Sequence, residues 1–215
     1  NILSTTASGG AGFEIAKTLS MEGYDVIGCV YDKEKGEAIH KLVQSGDIDS
    51  LNEFKGSKYI QSNTKEVFKE VLDKTTKAVI FGTPCQIAGI DLLLKSKKIR
   101  DNYVLVDLIC HGVPSQHLWN KYLKEGSKLY GYGLSPDVKF RDKSKGWRDK
   151  FIHIEGNNVT YVRNENRDLF YRLFLLRHIN MEACYECNFR TGSSADVRIG
   201  DYWGPRYKED REGVS

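Results

Sequence analysis

The sequence predicts an α/β fold, a largely parallel sheet flanked by helices with a small antiparallel hairpin extension. The segments "KAVIFGTP", "CQIAGIDLLLKS", "YVLVDLIC" and "PSQHLWNKYLKEGSKLYG" read strand, helix, strand, helix. Both strands are continuously apolar, as expected of parallel strands covered on two faces and joined by right-handed crossovers. Beyond Pro136 the pattern changes to short runs of alternating apolar and polar residues, the mark of antiparallel strands with one solvated face. At 215 residues the chain is long enough to bury a core without staples.

Each element follows from its own signal. "SGGAGFEIAKTLSMEG" places Phe13, Ile15, Ala16 and Leu19 on one face after a small-residue entry and before Gly23, which predicts a helix of about four turns ended by a glycine. "DVIGCVYD" is a β-branched strand, "EAIHKLVQ" fits strand or helix, and "SGDIDSLNEF" carries a short helix. "TKEVFKEVLDKT" is a helix with Thr64 as its cap and Val67, Phe68, Val71 and Leu72 as its apolar face. In the second half "DVKFRDK", "KFIHIEG" and "NVTYVRN" are strands, the last two joined by an "EGNN" hairpin. "RDLFYRLFLLRH" is a strongly apolar helix, and "ADVRIGDYWG" is a final strand running into a loop. The expected division is an α/β core over residues 1–135, with 136–215 adding the antiparallel extension, a helix and a CxxC segment that complete the same domain.

Composition narrows the classes. The 32 basic and 29 acidic residues leave a net charge of +3, which gives no reason to expect a nucleic-acid partner. There is no run of eighteen apolar residues, hence no expected membrane span, and "NILSTTASGG" lacks the plan of a signal peptide. The expectation is a cytoplasmic protein. Five cysteines suit metal or redox chemistry in a reducing compartment better than a disulfide framework.

The cysteines fall in an informative pattern. Cys85 follows the strand "AVIFGTP" and Cys110 closes the strand "YVLVDLIC". Parallel strands joined by one helix lie about 4.8 Å apart with their carboxyl ends on one rim. That rim is where open α/β sheets hold ligands. Cys85 also begins a helix after Pro84, and a helix N-terminus favours a thiolate. Together with Cys184 and Cys187 of "ACYEC", the two rim cysteines make four thiolates, enough for a tetrahedral zinc or a cubane iron-sulfur cluster. Spacing leaves the metal open, although structural zinc sites usually draw ligands in two local pairs and here Cys85 and Cys110 stand singly. A thioredoxin-like dithiol fits less well, because this CxxC follows a helix in a polar run rather than opening one. Two unrelated buried thiols at 85 and 110 are the ordinary alternative. Cys29, inside a strand, reads as a core residue.

Taken together, "SGG" at 8–10, "GSKYIQS" at 56–62, "GTPCQIAG" at 82–89, "DLICHGVPS" at 107–115, "VKFRDKSKGW" at 138–147, "CYEC" at 184–187 and "ADVRIGDYWG" at 195–204 resemble the coenzyme F-420 hydrogenase/dehydrogenase beta-subunit family, in order across nearly the whole chain. The resemblance implies an iron-sulfur flavoprotein oxidoreductase module, with electron pairs passing between a deazaflavin or related carrier and FAD, and single electrons through a 4Fe-4S cluster to a redox partner protein or ferredoxin-like domain. It implies Cys85, Cys110, Cys184 and Cys187 as the cluster ligands. The chain lacks the ferredoxin-like segment of many members and the basic residue expected before "SGG", and more sheet is expected after "REGVS". It therefore reads as the central part of a longer protein, or as a member that has lost its electron relay. Relatives beside polysaccharide-synthesis proteins give one alternative, a degenerate member binding a nucleotide or sugar intermediate. A non-catalytic four-cysteine zinc module is the other.

Candidate cofactor residues follow from the same motifs. Ser8, Gly9 and Gly10 offer backbone N–H groups ahead of a helix, a place for a pyrophosphate or flavin edge, though without the strand and GxGxxG of a dinucleotide fingerprint. They are equally a plain glycine-rich helix start. Ser57, Lys58 and Tyr59 could hold a phosphate and stack on a ring, or form a turn with Tyr59 capping the core. "KFRDKSKGWRDK" carries six basic residues against two aspartates, suited to an FAD pyrophosphate or the anionic tail of coenzyme F-420, or simply a solvated hairpin face. Arg141 and Lys143 match the family pattern best. His111 could tune a cluster or move a proton, though such a histidine is more often a satisfied rim residue, and Asp201 and Trp203 could line the cluster or pack beneath the final strand, with packing favoured for Trp203. No residue is assigned a catalytic role.

Overall fold

The computed structural model describes residues 2–73 and 76–214. In chain order these form α1 (Ile2–Thr5), α2 (Ala11–Met21), β1 (Asp25–Asp32), β2 (Glu37–Val43), β3 (Ser62–Asn63), α3 (Lys65–Asp73), β4 (Ala78–Gly82), α4 (Pro84–Ser96), β5 (Tyr103–Leu108) and α5 (Gln116–Tyr130). Then come β6 (Asp137–Asp142), β7 (Phe151–Gly156), β8 (Val159–Asn164), α6 (Leu169–Leu175) and β9 (Val197–Ile199). A six-stranded sheet runs β3-β2-β1-β4-β5-β9, and a three-stranded antiparallel sheet runs β6-β7-β8. The β1–β4, β4–β5, β5–β9 and β2–β3 pairs are parallel, and β1–β2 is antiparallel. The predicted class, a largely parallel α/β sheet with a small antiparallel addition, is the one observed.

Strand alternation explains how the large sheet is covered. Ile27, Ile80 and Leu105 point to one face, where Val67 and Val71 of α3 and Ile87, Ile90 and Leu94 of α4 bury them. Their neighbours Val26, Val79 and Val106 point to the other face, against Ala16 of α2 and Leu51. Each fully buried aliphatic side chain contributes roughly 1.5–3 kcal/mol. This two-sided burial is why the central strands read as unbroken apolar runs. The small sheet packs differently: Phe140, Ile152, Ile154 and Tyr161 meet Trp119 and Leu123 of α5 and Phe170, Tyr171 and Phe174 of α6 in an aromatic core.

Several expectations need adjustment. The ambiguous "EAIHKLVQ" is β2, hairpinned on β1 in a register from Val26↔Val43 to Asp32↔Glu37. The helix α2 has eleven residues, about three turns rather than four, because Gly23 takes a left-handed φ of 88° just beyond it. The short helix near residue 50 is a 3₁₀ turn, Ser50–Phe54. Lys74 and Thr75, the expected end of α3, and the Leu72 side chain lie outside the described residues. The strand β5 stops at Leu108, so Cys110 sits in the turn beyond it, while Ile109 N–H still donates to the Ile199 carbonyl at 2.9 Å. The final strand shrinks to three residues, yet β9 pairs with β5 and so brings the region before and after it to the rim of the large sheet. Among the described residues no helix is long and apolar enough to cross a membrane.

Candidate metal centre

Cys85, Cys110, Cys184 and Cys187 line one small cavity at the carboxyl rim of β4 and β5. Cys85 is the second residue of α4, after Pro84 at its first. The turn into the helix is closed by Thr83, whose N–H donates to Oε1 of Gln86 at 3.0 Å. Thr83 Oγ1 lies 3.3 Å from Cys85 Sγ. Cys110 Sγ accepts the N–H of Gly112 at 3.4 Å. That turn requires glycine: φ at Gly112 is 111°, and a Cβ there would overlap the amide of Asn180.

The second half of the cavity comes from the segment after α6. Asn180 Nδ2 donates to the His111 carbonyl at 3.1 Å and Met181 N–H to the Val113 carbonyl at 2.8 Å. These bonds hold the chain entering the CxxC against the turn that carries Cys110. Cys184 closes a 3₁₀ turn, Glu182–Cys184, and its carbonyl accepts from Arg190 Nη2 at 2.6 Å. The remaining lining is Thr83, Pro84, Gly112, Val113, Phe189 and Arg190, with no carboxylate among them. All four thiols are free of disulfides, and Cys85 is the exposed one.

Burial pushes the Cys110 thiol up; the Gly112 N–H opposes this, and the other three cysteines add to it. Among the described residues no three His, Cys, Asp or Glu side chains form a group that could hold a single metal ion. A tetrahedral zinc holds four thiolates about one ion, with Zn–S bonds of about 2.3 Å. A cubane cluster offers four separate iron atoms and takes its thiolates around a larger centre.

Cys29 lies apart, half-buried in β1 against the aromatic core, where burial raises its thiol pKa. His111 Nε2 lies 3.0 Å from the Leu175 carbonyl, which accepts from it, and the ring meets that of Phe174 edge-on, as a satisfied rim residue does.

The predicted flavin residues fall into two groups. Lys58 spends its ammonium on three backbone carbonyls, those of Glu53, Phe54 and Lys55 at 3.3, 3.1 and 2.9 Å, so it closes the Ser50–Phe54 turn. Burial pulls its pKa down to about 8. Beside it Tyr59 stacks on Phe174 and Tyr171, with centroids 5.0 and 5.7 Å away. Ser57 is half-buried in the same loop. The second group is Ser8, Gly9 and Gly10 with Lys143, whose ammonium reaches the carbonyls of Leu3, Ser8 and Glu212. Arg141 pairs with Asp201, donates to the Trp147 carbonyl at 3.0 Å and lies 5.2 Å from the ring of Trp203. Trp203 in turn stacks on the fully buried Trp147 at 4.5 Å. Asp201 and Trp203 therefore belong to this aromatic and basic cluster, outside the lining of the cysteine cavity.

Sequence reasoning missed Asn180, Arg190 and Arg198. Arg190 lies in "CNFRTGSS", which has no periodicity to read, while Asn180 in "RHINMEA" and Arg198 in the strand "ADVRIG" look like ordinary polar residues. The one available signal was Asp107, a charge inside the apolar strand "YVLVDL", which has to find a partner.

Comparison with known proteins gives this geometry a context. The family described as the C terminus of the coenzyme F420 hydrogenase/dehydrogenase beta subunit matches residues 75–215, a stretch that contains all four cavity cysteines, Arg141 and Lys143 but neither Ser8–Gly10 nor Ser57–Tyr59. No curated protein matches. A solved structure described as a xenon derivatization of the F420-reducing [NiFe] hydrogenase complex from Methanosarcina barkeri contains a chain with the same fold, at a TM-score of 0.54 and 15% identity. The match covers 86% of this chain and 61% of that one.

Proposed function

Because the chain belongs to the coenzyme F420 hydrogenase/dehydrogenase beta-subunit family, we propose that it is a redox module whose cysteine cavity holds a 4Fe-4S cluster ligated by Cys85, Cys110, Cys184 and Cys187. The observation that carries this is the meeting of four thiols, from three separate stretches of the chain, on one cavity without a carboxylate. When bound, such a cluster supplies one-electron transfer. The chain's own groups set its conditions. The N–H of Gly112 is directed at the Cys110 sulfur and the Thr83 hydroxyl lies beside that of Cys85, and hydrogen bonds to cluster sulfurs raise the reduction potential. The N-terminal end of α4 behind Cys85 and the guanidinium of Arg190 favour the added electron in the same way. Cys85, exposed at the rim, marks the side from which a redox partner protein would approach.

The two-electron side of the proposal is FAD together with coenzyme F-420 or a related carrier. The Lys58 and Tyr59 pair does not fit a phosphate clamp, since all three Lys58 donors and the Tyr59 ring are engaged within the protein. The Ser8–Gly10 loop ahead of α2 is the better place on account of its backbone N–H groups; Lys143 is committed to three carbonyls as Lys58 is, and would give up that of Glu212 to meet a pyrophosphate oxygen.

The test is anaerobic reconstitution of the chain with ferrous iron and sulfide, followed by metal and sulfide analysis. The proposal expects iron and sulfide in equal amounts with a broad visible thiolate-to-iron band. Stoichiometric zinc taken up in preference, with no sulfide retained, would favour the zinc module and sink the redox reading.

A further inference from the structure

Two motif residues, Asp107 and Arg198, take no part in the cavity lining yet are joined beside it. Asp107 lies near the end of β5, three residues before Cys110, and its side chain is completely buried. Arg198 in β9 grips it with both arms, Nε to Oδ1 and Nη2 to Oδ2, each at 2.8 Å, and the Ser193 hydroxyl donates to Oδ2 at 2.7 Å. The same guanidinium donates to the carbonyls of Phe189, Arg190 and Gly192 at 3.2, 3.2 and 2.9 Å. Arg190 then reaches back to the Cys184 carbonyl. The loop bearing Cys184 and Cys187 is therefore tied at its entry by Asn180 and Met181 and at its exit by Arg198.

We infer that Arg198, oriented by Asp107, is a positioning residue that holds the Cys184–Cys187 half of the site in register with the Cys110 half. This rests on the four-cysteine reading above. The physical reason is the planar fork: a guanidinium can satisfy a bidentate carboxylate and still present N–H groups to three carbonyls, which an ammonium cannot do in one fixed geometry. Arg198 thus converts the rigidity of the paired β5 and β9 strands into the position of an otherwise irregular loop. Outer-sphere groups of this kind typically alter metal affinity about 10–100-fold when removed.

The experiment compares the full chain with Arg198→Lys, Arg198→Gln and the double variant Asp107→Asn/Arg198→Gln. Two quantities are read: iron release to a ferrous chelator from anaerobically reconstituted protein, and, in the reduced metal-free protein, iodoacetamide labelling of Cys184 and Cys187 relative to Cys85 in the same molecule. Arg198→Gln should release iron about tenfold faster or more and label the two loop cysteines faster, with Arg198→Lys between it and the wild type. The double variant removes the orphaned carboxylate, so its thermal midpoint should recover toward wild type while release and labelling stay fast. If the double variant regains wild-type retention, or Arg198→Gln behaves as wild type in both assays, the inference is overturned. A wild-type chain that takes up no iron and sulfide would defeat the cluster reading instead, and the labelling ratio would still decide the role of Arg198.

Discussion

Substituting Gly112 by alanine should damage both the fold and the cysteine site, through one turn. Gly112 has φ of 111°, in the half of conformational space that L-residues avoid, and the added methyl would meet the Asn180 amide. Left-handed backbone costs a non-glycine residue roughly 1–2 kcal/mol, and overpacking at a closed contact adds roughly 1–3 kcal/mol. Asn180 is 8% exposed and already committed to the His111 carbonyl, so it has little room to yield. The expected loss is roughly 2–5 kcal/mol, which at a urea m-value of about 2 kcal/mol/M lowers the midpoint by about 1–2.5 M. Moving this turn also withdraws the N–H that Cys110 Sγ accepts. Urea unfolding of the metal-free chain, paired with iron content after reconstitution, measures both effects. Gly89→Ala is the control, because Gly89 is an exposed position inside α4 where a Cβ meets nothing within 4 Å; it should stabilise by about 0.5–1 kcal/mol. Asn180→Ala in the Gly112→Ala background should recover the packing part alone. A Gly112→Ala protein with wild-type midpoint and iron content would refute the reasoning.

Other outcomes follow from the same geometry. Serine at Cys85, Cys110, Cys184 or Cys187 should each lower iron and sulfide content, while Cys29→Ser, outside the cavity, should not; equal losses at all five positions would remove the basis for the assignment. Lys58→Met should cost roughly 1–3 kcal/mol, from carbonyls left without their donor, and leave the FAD dissociation constant of the reconstituted protein unchanged, whereas Lys143→Met should weaken FAD binding. Asp91 gives a pH dependence. Burial works against its ionisation, but hydrogen bonds from Lys95 and Arg100 prevail and hold its carboxyl below the usual range. Its contribution is complete above the unfolded value of about 4 and is lost as pH falls through the lower folded value. Acid unfolding of Asp91→Asn should accordingly show a flatter limb below pH of about 4 than the wild type.

The parts of this fold that the sequence discloses are those governed by local rules. Continuous apolar runs mark β4 and β5, the single helix between them implies a common rim, and Cys85 and Cys110 line one cavity on that rim. The hairpin of β1 and β2 was harder, because "EAIHKLV" alternates too loosely to separate strand from helix and is decided by its partner β1. Charge was the least legible quantity. Lys58 and Lys143 look alike in the chain as free cations, yet each is consumed by backbone carbonyls that only the folded loops bring together. Arg198 gave no sign of its role because the carbonyls it gathers belong to a segment without period, and carbonyls leave no mark in a sequence.

The central claim is that four cysteines hold one redox-active cluster, and electron paramagnetic resonance of the anaerobically reconstituted, dithionite-reduced chain tests it most directly. The account predicts a single fast-relaxing signal of a reduced 4Fe-4S cluster, diminished in each of the four cysteine variants and intact in Cys29→Ser. A reduced sample that holds its full metal complement as zinc and gives no such signal would contradict it.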